Sequence, residues 1–251
     1  MLYDSISVEE VVDAELAHEF LKEATRLATS EELEDTGRRL EAKSRIFQQL
    51  LAPEALESLD EAGLKNIMGM IFFLRRKATR LVEVNGMESL RREIAELLYG
   101  KLPVEQRFNR FTTEVKGFDP PVIVALAGEM LHYTQPDQYW LWSYWIYDPT
   151  TGGGALPLVV QKEVSFEGAN HGEIYHRVGE AMQFVNASGH AEGFARMGRG
   201  LFGTHGFLAC VYAVYMYTVF KMRLSKEFNR ILPELPELTR RVLGVYKLEV
   251  N

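Results

Sequence analysis

Apolar residues recur at helical spacing along the first hundred positions. Val11, Val12, Leu16, Phe20, Leu21 and Leu27 fall on one face, and Ser7 with Glu10 fits a capping box, so the pattern predicts a first helix over about 8–28. Ser30 is placed to cap a second helix that reaches Leu50 and Leu51, where Pro53 forces a break. Asp60 caps a third, carrying NIMGMIFFLRRKATRLVEV as one helix up to Asn85 and Gly86. MESLRREIAELLYG is a fourth, with Gly100 where a left-handed C-terminal residue is wanted. Helical patterning returns at about 172–186, 205–224 and 236–243.

Between these stretches the character changes. TTGGG at 150–154 reads as the most flexible tract, and ALPLVV and EVSFEG after it read as two short strands. The fold class expected is therefore mainly α: a two-lobe helical protein with a small β insertion near 155–168. The lobes are 1–148 and 171–251, joined by a Gly-rich insertion over 149–170. Tyr246, Leu248 and Val250 alternate as an edge strand would, which makes the C-terminal tail a candidate contact for another chain or for a second copy.

Composition narrows the classes. At 251 residues, 47% apolar and 25% charged, the chain has the profile of an ordinary globular protein. One cysteine, Cys210, permits no internal disulfide and sits in an apolar run, so a reducing cytoplasm is the expected compartment. The acidic N-terminus lacks the basic-then-apolar order of a signal peptide. The apolar run at 207–220, FLACVYAVYMYTVF, is shorter than the roughly 20 residues that span a bilayer, so no membrane association is expected. A net charge of −7 opposes indiscriminate binding to phosphate polymers and leaves only a local basic face for that role.

Residues 101–146 run KLPVEQRFNRFTTEVKGFDPPVIVALAGEMLHYTQPDQYWLWSYWI: a helix, a Lys-Gly-Phe turn, an apolar helix, a Pro-Asp bend and a Trp. This order resembles the helix-hairpin-helix region of the DNA-glycosylase-like fold. The resemblance implies a turn of glycine, apolar residue and glycine whose following N–H groups hold a DNA phosphate, and a catalytic Asp after the second helix. Here Asp119 stands in place of the second glycine, and Pro120 and Pro121 remove two N–H donors. Trp142 and Ser143 stand near the position of the catalytic Asp, and Asp148 lies further on. A hairpin that keeps its shape without its anion site or its carboxylate implies a non-catalytic binding or accessory protein, with no cofactor and with a protein or nucleic acid as partner. For nucleic acid, Arg75, Arg76, Lys77, Arg80, Arg91 and Arg92 are the candidate phosphate contacts.

Three further sets carry chemistry. The ladder YWLWSYWIYD, read as a helix with rings on all sides, offers Trp140, Trp142 and Trp145 either as ligand-stacking faces or as core. RMGRGLFGTHGF at 196–207 sets Arg196, Arg199 and His205 beside glycines, a candidate phosphate or carboxylate site. Glu15 with His18, Glu129 with His132 and Glu173 with His176 have the Glu-x-x-His spacing. The alternative function is thus a dinuclear iron or manganese enzyme, with Glu129, His132, Glu173 and His176 as ligands and Glu96 and Glu180 as further candidates.

Overall fold

Local hydrogen bonding sets where the first helices begin. The computed structural model describes residues 11–192, 201–223 and 233–249, and α1, the first helix lying wholly within them, is Ala14–Leu27. Asp13 caps it by accepting from the Leu16 N–H at 3.0 Å. The expected Ser7–Glu10 box lies outside the described residues. The chain is already extended at Val12, which forms an antiparallel bridge with Val160, so the helical spacing of Val11 and Val12 does not extend α1. α2 spans Ser30–Leu51, and its capping box is one residue earlier than Ser30 suggests. Glu32 N–H donates to the Thr29 hydroxyl at 3.2 Å, while the Glu32 carboxylate accepts from Thr29 N–H at 2.8 Å.

α3 is Pro53–Leu56, and α4, Glu61–Gly69, is capped by Asp60, which accepts from Gly63 N–H at 2.8 Å. The single helix expected over 61–84 is two helices, because the chain turns over 70–77 before α5, Ala78–Asn85. The turn is built from short-range bonds, Leu74 N–H to Ile71 and Lys77 N–H to Leu74, and it lets α5 fold back against α4 with Ile71 and Leu74 buried. α6 is Met87–Tyr99. Gly100 after it has φ −60°, not the left-handed value expected; glycine is needed there because a Cβ would stand 2.4 Å from the Glu96 carbonyl oxygen.

α7 (Val104–Glu114) leads through a short turn with Gly117 at φ 100° into α8, Pro120–Thr134. Every residue of α8 from Val122 to Thr134 is buried, as befits a helix apolar on nearly all sides. The expected aromatic helix at 139–147 does not form. Side chains take up its backbone groups instead: His132 bonds the Tyr139 carbonyl at 2.8 Å, and the Tyr175 hydroxyl bonds the Trp140 carbonyl at 3.1 Å.

Nor do the two strands expected near 155–168 form. Leu156–Leu158 is a single 3-10 turn, Pro157 has no N–H for a ladder, and the described residues contain only isolated bridges. α9 (His171–Glu192), α10 (Leu201–Arg223) and α11 (Leu235–Val242) follow. Beyond α11 the chain makes a glycine turn at Gly244, φ 73°, and the tail through Glu249 is irregular, not an edge strand. The protein is mainly helical, and no described helix is long and apolar enough to cross a membrane.

By contacts the chain divides into two compact units, each drawn from three stretches. The first comprises the described residues of Met1–Leu40, Trp145–Ser165 and Ala181–Tyr246. There α10 packs on α1 and α11, with Phe207, Leu208 and Val211 in the core. Arg240 of α11 bridges to Asp35 at 3.0 Å, and Cys210 is buried beside Thr239. The second comprises the described residues of Glu41–Tyr144, Phe166–Glu180 and Lys247–Asn251, and its core is α8 with α6 and α7 against it.

Candidate functional site

The turn that splits α4 from α5 creates a strongly cationic concavity. Phe73, Arg75, Arg76, Lys77 and Arg80 line an open groove of about 490 Å³ together with Phe118, which comes from the turn before α8. Two elements far apart in sequence are thereby joined, and the join is explicit. Asn85, at the end of α5, donates to the Lys116 carbonyl at 2.9 Å and accepts from the Lys116 N–H at 2.9 Å, while Gly117 packs against Val84. This clamp holds Phe118 under the basic residues: Lys77 Nζ lies 5.0 Å and the Arg80 guanidinium 5.5 Å from its ring centroid.

The four cations are available for an outside partner. Arg75, Arg76 and Arg80 are exposed, Lys77 is half-buried, and none makes an ion pair among the described residues. Phe73 is 45% exposed and has φ 56°, the only non-glycine residue described with a positive φ. Phe72 packs edge-on against it, centroids 5.5 Å apart. Arg91 and Arg92, grouped with these cations by sequence, do not line the groove. Arg91 Nε donates to the Leu59 carbonyl at 2.7 Å, and Arg92 pairs with Glu93 at 3.3 Å and bonds Ser89. Phe73 carries no sequence signal for a site, whereas Phe118 belongs to the Lys-Gly-Phe turn.

The start of α8 adds nothing for an anion. Asp119 is the N-cap residue, its side chain caps no N–H, and the prolines occupy the first turn. A second groove, about 350 Å³, has Glu23 and Glu234 beside Leu27, Val214, Tyr217 and Leu235, a lining that repels phosphate.

The other candidates scatter. Glu129 is fully buried and meets Lys43 Nζ at 2.5 Å, and Lys43 also lies 4.1 Å from the Tyr133 ring centroid. Burial pushes the Glu129 carboxyl up and the Lys43 ammonium down, each opposed by the other's charge. His132 is held at about 3 by burial, and its Nδ1 must carry a proton, since it faces a carbonyl. Glu173 instead closes the start of α9, accepting from Ala169 N–H at 2.9 Å, and exposed His176 meets Glu180 at 3.3 Å. No three His, Cys, Asp or Glu among the described residues converge as a metal set would, and Glu96, Glu15 and His18 form no such group either.

Of the three tryptophans, Trp142 is fully buried and stacks on Phe108 at 5.5 Å, with Phe108 stacked in turn on Tyr175 at 4.4 Å. Trp145 is 5% exposed and packs on Tyr212, and Trp140 is half-buried. His205 is buried within α10, and Arg196 and Arg199 lie outside the described residues. Asp148 serves its own turn, accepting from Thr150 N–H at 2.8 Å. Set beside known proteins, the chain matches no family model, no curated protein and no solved structure.

Proposed function

We propose that the protein is a binding or accessory protein that engages nucleic acid through the groove of Phe73, Arg75, Arg76, Lys77, Arg80 and Phe118. One observation carries this reading: four cations without ion-pair partners among the described residues and two aromatic rings surround a single open groove, in a protein whose net charge is −7. An acidic protein gains little from indiscriminate attraction to phosphate, so a basic concavity on it concentrates the attraction at one place. Arginine and lysine contacts to phosphate release counterions, and aromatic faces accept bases. The helix-hairpin-helix-like segment contributes by a different route from the one its resemblance implies. Its turn supplies Phe118 to the groove, while Asp119, Pro120 and Pro121 leave the helix start without the donors that would hold a phosphate. Binding of labelled DNA and RNA over a range of salt concentrations tests the reading. Affinity should fall as salt rises, and it should be lost when Arg75, Arg76, Lys77 and Arg80 are all replaced by alanine. Salt-insensitive binding, or binding that survives the fourfold replacement, contradicts it.

A further inference from the structure

Resting on the reading of the groove as a nucleic-acid site, we infer that its ligand is an unpaired strand, with one base stacked on Phe73 and the flanking phosphates held by Arg75, Arg76, Lys77 and Arg80. Phe118 already has cations over its ring, at 5.0 and 5.5 Å, whereas Phe73 stands 45% exposed at the groove wall with no cation over it among the described residues. Phenylalanine at φ 56° is strained, whereas glycine meets that backbone angle without strain, and the edge-on contact with Phe72 leaves the ring 45% exposed. A strained aromatic held out beside four cations matches a polymer that alternates phosphates with planar bases.

A duplex does not match it. Its bases are stacked inward on each other, so Phe73 gains no face. The backbone-amide contact by which a helix start grips a duplex phosphate is also missing, because α8 opens with Asp119, Pro120 and Pro121. The groove's reach is short, so a strand of a few nucleotides fills it, at the lower end of single-strand site sizes.

The test uses the full chain and three probes: a fluorescein-labelled oligothymidylate of about 12 nucleotides, the same strand annealed to its complement, and inorganic polyphosphate. Phe73→Gly is the informative variant, because it removes the ring while suiting the backbone angle. The single strand should bind more tightly than the duplex or polyphosphate. Phe73→Gly should weaken that binding by about 5- to 150-fold, the range for loss of one stacked base, with no fall in melting temperature. Equal affinity for strand and duplex, with Phe73→Gly binding like the parent, overturns the inference and leaves the nucleic-acid reading standing. Polyphosphate binding as tightly as the strand overturns it as well, since charge alone then suffices. A Phe73→Gly protein that melts well below the parent makes the ring structural and also overturns it. Absence of salt-sensitive binding to either nucleic acid removes the underlying reading.

Discussion

His132 and Lys43 are both fully buried in the second unit. His132 titrates at about 3 in the folded protein against about 6.5 when exposed, because burial disfavours the imidazolium. A depressed folded value means that its contribution to stability is fully present above pH 6.5 and is lost as the pH falls from there toward 3. The loss is about 1.4 kcal/mol per pH unit. Urea unfolding at pH 7 and pH 5 should therefore show a drop in stability that is about 2 kcal/mol smaller in His132→Gln than in the parent. Parallel drops would show that the imidazole is not the group responsible. Lys43 pairs with Glu129 at 2.5 Å. Lys43→Met leaves the Glu129 carboxyl buried without its cation and should cost about 3–5 kcal/mol, whereas Lys43→Met with Glu129→Leu should recover most of that loss. Equal losses in the single and double variants would mean that the ion pair itself, not the stranded carboxyl, accounts for the effect.

At the scale of elements, the sequence was most readable where the helix ends depend on local chemistry. Asp60 before α4, Pro53 at α3 and the prolines opening α8 do what their residue types predict. The cap of α2 lies one residue before Ser30, because Thr29 and Ser30 are both good caps and the reciprocal contact with Glu32 decides for Thr29. Where tertiary packing decides, the pattern misled. Ile71 and Leu74 keep helical spacing through a stretch that turns, since a turn with short-range bonds buries them equally well. The aromatic ladder likewise reads as a helix, although His132, seven residues before Tyr139, and Tyr175, 35 residues after Trp140, bond its backbone in an irregular course. The strands expected after TTGGG failed because no neighbouring strand exists among the described residues to pair with them. Trp142, buried in that irregular segment and stacked on Phe108, is a core residue. Trp142→Ala should destabilise the protein by ~3–5 kcal/mol in urea or thermal unfolding. An unchanged melting temperature would show that the ring does not support the fold.

On the scale of the whole molecule, a net charge of −7 hides a groove whose local character is the reverse. Its cations were legible as a run, Arg75 to Arg80, but not its shape, which needs the turn at 70–77 and the Asn85 clamp on Lys116. Arg91 and Arg92 looked equivalent in sequence and are spent on Leu59, Glu93 and Ser89. The metal-ligand pairs were legible as spacing alone, and spacing does not reveal that Lys43, from another helix, meets Glu129. The salt dependence of single-strand affinity is the most direct measurement of what the groove does. With four phosphate contacts, the slope of log affinity against log salt should be about −2.8, and Arg80→Ala should make it shallower by about 0.7. A slope near zero, or one that Arg80→Ala leaves unchanged, would contradict nucleic-acid binding at this groove.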